Sequence, residues 1–166
     1  MQRIISSPRD YDAATGKILE RPFHKVFGNG LSIWRALGSD DEIQALMIEA
    51  LTRRPADAPK SIRFVCEALV DDIRAVTNDD GERAFCVYDQ TVTRLDPQLA
   101  PVPTHGSIFQ RLPPPGTPDR KTLQKDLAGK LREVFERQVL DANGYRNGLC
   151  VDLNARAQAG DFVTGQ

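Results

Sequence analysis

Two histidines, three cysteines and a scatter of arginines are among the side chains in this sequence equipped to move a proton, act as a nucleophile or hold an anion. His24 and His105 are the only imidazoles, and neither is followed two to five residues later by a His, Cys or acid, so partly exposed histidines bonded to backbone are the simpler expectation. With the arginines they have the residue types of a metal-free ribonuclease, acid and base at phosphate. Against that, Lys plus Arg is 22 and Asp plus Glu is 23, a net charge of −1. So balanced a chain has no overall field to draw in a polyanion, and nucleic acid is a disfavoured partner.

Cys66, Cys86 and Cys150 form no Cys-x-x-Cys pair and have apolar neighbours, as buried free thiols in a reducing compartment do. A nucleophilic pair of Cys86 with His105 needs their two strands to adjoin, since a thiol needs a base. Phe85 and Val87 on either side of Cys86 point to the core instead. Asp10-Tyr11-Asp12 opens like a calcium loop, but Ala14, Thr15 and Arg21 stand where a ligand, a glycine and a glutamate are required. That leaves a solvated loop turning at Gly16. Gly28-Asn29-Gly30 lacks the third glycine and the preceding strand of a dinucleotide fingerprint, and no Gly-Lys-Ser/Thr is present to cradle a triphosphate.

The elements that must position these groups are read from periodicity. Turns at Pro8, Gly16, Pro22, Gly28 and Gly30 break the start into short strands, and Leu31 to Leu37 alternates as a strand. Ser39-Asp40-Asp41-Glu42 is a capping box that opens a helix to Thr52, with a stripe of Ile43, Leu46, Met47, Ala50 and Leu51 before Arg53-Arg54-Pro55. Lys60 to Val76 reads as a strand changing to a short helix near Asp71. Asn78 to Gly81 is a turn, and Arg83 to Val92 alternates as a half-buried strand. Leu95 to Pro103 is extended chain, His105 to Phe109 a returning strand, and Pro113-Pro114-Pro115 a stiff spacer. Thr117-Pro118 starts a long helix to about Asp141, its stripe running through Leu123, Leu127, Leu131, Val134 and Phe135. Leu149 to Leu153 suits a short strand, and Asn154 to Gln166 is too polar to order unless a partner covers Phe162 and Val163.

These elements predict an α+β fold: a mixed, mostly antiparallel sheet with the two main helices packed on one face, one domain over 1–153 and a flexible or partner-ordered tail over 154–166. A chain of this length buries about 69% of its surface, enough for a core without disulfides or metal. No apolar run approaches a membrane span and the first residues lack a secretory apolar region, so a cytoplasmic protein without membrane contact is expected.

Two resemblances add to this. Arg3-Ile4, Pro8, Tyr11-Asp12, Thr15-Gly16-Lys17-Ile18, Phe23 and Gly30-Leu31-Ser32-Ile33-Trp34-Arg35 resemble the opening of a group of small bacterial proteins of uncharacterised function. In that group a later strand carries a histidine beside a small residue, here His105-Gly106, and a last helix follows. The group brings no established activity. The basic first strand, glycine turn and Leu-Ser-Ile strand are also similar to the start of ADP-ribosyltransferase folds. That resemblance implies NAD held by Arg3 and Ser32, with an acid, Glu67 by its strand position, orienting the nucleophile; the Glu-x-Glu or Gln-x-Glu of those enzymes is missing. With no convergent catalytic set, the reading that follows is a cofactor-free interaction or regulatory module binding a protein partner through Phe162, Val163 and His105. The alternative is an NAD-dependent ADP-ribosyltransferase-like enzyme.

Overall fold

The computed structural model describes residues 1–7, 9–52, 61–91, 103–111 and 119–162. Six strands form the main sheet, β1 (Gln2–Ser7), β4 (Leu31–Trp34), β5 (Ser61–Glu67), β6 (Phe85–Asp89), β7 (His105–Gln110) and β8 (Gln138–Asp141), in the order β6-β7-β4-β1-β5-β8. Every neighbouring pair runs antiparallel. A small hairpin of β2 (Tyr11–Asp12) and β3 (Lys17–Ile18) and a 3-10 helix (Arg21–Phe27) lie between β1 and β4. The α-helices are α1 (Asp40–Thr52), α2 (Val70–Ala75), α3 (Arg120–Glu136) and α4 (Leu149–Ala159). The fold is α+β, and no helix among the described residues is long and apolar enough to cross a membrane.

The two main helices lie on opposite faces of the sheet, not on one. Successive strand residues point to opposite faces, and the inner strands carry adjacent apolar residues: Ile4-Ile5, Ile33-Trp34 and Val65-Cys66. Each face therefore needs a cover. Ile5, Ile33 and Cys66 pack with Leu127, Leu131 and Phe135 of α3, Phe23 of the 3-10 helix and Ile73 of α2. Ile4, Trp34 and Val65 pack with Ile43, Met47 and Leu51 of α1 and Cys150, Leu153 and Ala157 of α4.

The capping box closes as expected, Glu42 N–H donating to Ser39 Oγ at 3.3 Å and Ser39 N–H to Glu42 Oε2 at 3.1 Å. Strand β5 gives way to α2 at Val70. Two elements differ from the periodicity. The helical stripe of α3 ends at Phe135, and Gln138 to Asp141 leave the helix to pair with Glu67 to Phe64 of β5. Pairing satisfies the edge of β5, a tertiary demand that overrides a helical pattern polar at Gln138. Leu149 opens a helix rather than a strand: Cys150, Leu153 and Ala157 form its buried stripe, and the alanines that made the segment look featureless are good helix formers.

The segment from Asn154, read as a tail, is consequently the second half of α4 and its close. Asn154 caps β5 sideways, its amide donating to Ile62 C=O at 2.9 Å and its carbonyl accepting from Ile62 N–H at 2.8 Å. Gly160, at φ +87°, ends the helix with Asp161 N–H returning to Arg156 C=O. Phe162 is buried beneath the Arg156 guanidinium, 4.8 Å from the ring centre. Arg53-Arg54-Pro55, the extended chain before Pro103, the triple proline, Thr117-Pro118 and Val163 lie outside the described residues.

Two stability measurements check this packing. Leu131 is fully buried, so Leu131→Ala is expected to cost about 2–5 kcal/mol in urea unfolding. Truncation after Leu153 removes Asn154, Ala157 and Phe162 from the second layer and should lower the thermal midpoint by at least about 4 °C; an unchanged midpoint would make the segment a tail after all.

Candidate functional site

The sheet is incomplete at its centre. Strand β1 pairs with β5 along its whole length, from Gln2 opposite Glu67 to Ser7 opposite Ser61, but meets β4 at one position, Gln2 opposite Trp34. Beyond it lies a cavity of about 690 Å³ lined by Arg3, Ile4 and Ser6 of β1 and Ser32, Ile33 and Trp34 of β4. Arg3 ties the parted strands, its Nη1 donating to the Ser32 carbonyl at 2.9 Å. Its Nε is shut off from solvent with no hydrogen-bond partner, a donor that folding has left unmet. Burial holds the Arg3 pKa below its ordinary value, partly offset by Asp10.

The 3-10 helix builds one wall. At three residues a turn, side chains three apart eclipse, so Phe23 and Val26 share the buried edge and Arg21 and His24 share another. Phe23 anchors the helix on Phe135, ring centres 5.7 Å apart, leaving Arg21, His24 and Lys25 at the cavity. Gly30 sets the turn into β4: φ is +80° and a Cβ would stand 2.7 Å from the Phe109 ring, so glycine is required by both backbone and space.

His105 enters from β7. It is 6% exposed, and its Nδ1 lies 2.9 Å from the Gln90 carbonyl. A carbonyl only accepts, so Nδ1 carries a proton. Gln90 is held in turn by Ser107, whose hydroxyl donates to Gln90 Oε1 at 2.7 Å. Asp10 stands at the other end, accepting from Ser6 Oγ at 2.7 Å. Arg3, Arg9, Arg21 and Lys25 line the cavity against Asp10 and Glu49, so positive charge gathers here in a chain that is balanced overall.

Of the sequence candidates, Arg3, Ser32, His24 and His105 meet at this cavity. Glu67 does not. It lines a separate 400 Å³ cavity with Gln2, Tyr145 and Arg146, where Gln2 Nε2 donates to Glu67 and the Tyr145 hydroxyl donates to Gln2 Oε1 at 3.0 Å. Arg146 fastens this second site, pairing with Asp40 and donating to the Ala36 carbonyl. Burial pushes the Tyr145 phenol up to about 12. Phe162 is packed inside the chain.

Cys86 and His105 do not pair: Cys86 is opposite Phe109, and His105 lies four positions further along β7, about 13 Å of strand. Asp12 accepts from Ala14 N–H and Thr15 Oγ1, closing the β2–β3 turn at Gly16 instead of opening a metal loop. Among the described residues no group of His, Cys, Asp and Glu could hold a metal ion.

Sequence reasoning missed Arg9, Arg21 and Lys25. Their signal was positional: every basic or imidazole side chain of the cavity except His105 falls within the first 25 residues, a local bias that whole-chain charge conceals. Fold and site together define a two-faced α+β domain with a cationic cleft through its sheet. Compared with known protein families, curated proteins and solved structures, the chain matches none.

Burial pushes the Cys66 thiol up to about 12 and Cys150 to about 11, so both stay protonated at neutral pH and lack the reactive thiolate. Iodoacetamide labelling of these two should be slow in the folded protein and complete in denaturant.

Proposed function

We propose that the protein is a small binding module that takes an anionic group of its partner into the cleft between β1 and β4. One observation carries the reading: four basic side chains and both histidines line a single cavity, with only two acids among its lining. In a recess walled by protein the field of such charges is focused and poorly screened, so a local cluster attracts an anion that the molecule's net charge would not. The half-buried Arg3 adds a fixed donor, and a charge-assisted bond from Nε would relieve its unmet capacity. The volume falls within the usual range of small-ligand sites, about 300–1,000 Å³. No observation favours the NAD-transferase alternative, because Glu67 lines the other cavity.

Inorganic pyrophosphate is a suitable probe. In an NMR titration at low salt, amide shifts are expected at Arg3, Ser32, His24 and His105 and not around Tyr145. Arg3→Gln should weaken binding about tenfold, equivalent to roughly 1.4 kcal/mol, and added salt should weaken it progressively. Arg35→Gln, which removes the exposed 2.5 Å ion pair with Asp89 outside the cavity, should leave it unchanged. Shifts confined to the Tyr145 cavity, or none at any residue, would overturn the reading.

A further inference from the structure

Resting on the anion site just proposed, we infer that its occupant is an extended acidic peptide, laid between β1 and β4 as the strand their ladder lacks. The register shows where. With Gln2 opposite Trp34, the next facing pair would be Ile4 and Ser32, and that pair does not form. Ala68 N–H donates to the Met1 carbonyl at 2.8 Å, and successive residues of an antiparallel strand turn their backbone groups to alternate sides. Met1, Arg3 and Ile5 therefore direct their amides and carbonyls to β5, while Ile4 turns its own toward β4. Ser32 faces β1, because its carbonyl accepts from Arg3 Nη1. A guanidinium stands where a backbone amide would.

An extended chain sends successive side chains to opposite faces, and the two faces of this opening differ. Arg3, opposite Cys66, is on the face of α3, as are Arg21 and His24 of the 3-10 helix that Phe23 and Val26 seat in that layer. Ile4, Trp34 and Leu46 are on the face of α1, with Glu49 beside them. The complement is an alternating segment, acidic side chains toward α3 and apolar ones toward α1, where Glu49 would repel an acid. A carboxylate on the α3 side also meets the unpaired Arg3 Nε in a charge-assisted bond. A free phosphate or a nucleic-acid strand would meet the cations but offers neither a strand's backbone groups nor an apolar side chain at every second position.

Main-chain bonds to Ile4 and Ser32 supply the binding common to any added strand, and the two faces supply the selection. Since β1 and β4 run antiparallel, the inserted segment is antiparallel to one and parallel to the other, and an extended chain satisfies either ladder. It enters at the wide end, by Ser6 and Leu31, and stops at the closed pair of Gln2 and Trp34. On entry a peptide amide takes over the Ser32 carbonyl, and the Arg3 guanidinium it releases turns to the peptide carboxylate. No backbone group is left without a partner by the exchange.

The test uses the full chain and the peptide fluorescein-Glu-Val-Glu-Val-Glu-amide, read by anisotropy at low salt. Its comparisons are the same residues in the order Glu-Glu-Glu-Val-Val, the alternating peptide N-methylated at both valines, and a fluorescein-labelled oligothymidylate. The alternating peptide should bind at least about tenfold more tightly than the other two, which keep its charge but lose the match of faces or the strand bonds. Hydrogen exchange followed by NMR should show the Ile4 and Ser32 amides protected when it binds. Arg3→Gln should weaken it about tenfold, and because the other comparisons lie in the ligand they decide the matter even if that variant unfolds. Equal binding of the peptides, absence of protection at Ile4 and Ser32, or tighter binding of oligothymidylate would overturn the inserted strand, while pyrophosphate shifts at Arg3 and Ser32 would keep the anion site standing. Failure to bind both peptide and pyrophosphate would overturn both.

Discussion

Strands β1 and β4 come together at Gln2 and Trp34 and then separate, and that parting governs most of what the molecule presents. An antiparallel sheet that zipped fully would be a closed floor with side chains alternating to two helical layers. Here the 3-10 helix, inserted between the two strands in sequence, is drawn down by Phe23 and Val26 into the α3 layer. The opening that remains is bridged by a side chain: Arg3 reaches the Ser32 carbonyl, tying the strands where their ladder has ended. Core packing, sheet register and the cationic recess are in this sense one arrangement. Arg3 belongs to all three, which is why a single guanidinium is at once half-buried, bonded to backbone and left with a donor to spare.

The two cavities divide the chemistry between them. One is rimmed by cations and imidazoles and lies among β1, β4 and the 3-10 helix. The other is an internally satisfied chain in which Asp40, Arg146, Tyr145, Gln2 and Glu67 bond in succession. Its groups are each other's partners, so it reads as structure. Arg146 is held at φ +45°, with Asn147 and Gly148 also left-handed after it, a conformation that a non-glycine residue keeps when its surroundings over-determine it. Bonds from the Arg146 guanidinium to Asp40, Ala36 and Gly38 supply that determination.

Much of the fold was legible in the sequence because it rests on local rules. Ser39 and Glu42 announce α1 through their spacing, and Ile43, Met47 and Leu51 fix its buried face. The turn at Asn78, the change from β5 to α2 and the return strand at His105 follow in the same way. The end of α3 and the strand β8 were not legible, since Gln138 to Asp141 extend only because β5 offers an unpaired edge. The layer arrangement was legible in principle: adjacent apolar pairs such as Ile4-Ile5 already require cover on both faces. The site was half legible. Arg3, Ser32, His24 and His105 stand out by type, but nothing in sequence separation says that residue 24 and residue 105 share a cavity, or that Glu67 turns away from Arg3 toward Gln2.

The position of β1 bears on how the chain is made. It is synthesised before the other strands of the sheet and sits in its interior, between β4 and β5, with β8 closing the edge beyond β5. The apolar face of α1 is completed by Cys150, Leu153 and Ala157, about a hundred residues later. A ribosome-bound fragment that has released β5 but not α4 therefore shows solvent an unroofed Met47 and Leu51 and an unpaired β5 edge, the two surfaces most prone to stray association. Closure waits until β8 and α4 have been made, and the Arg146 latch onto Asp40 forms between them. Nascent copies on one message would be exposed to each other until that latch is drawn.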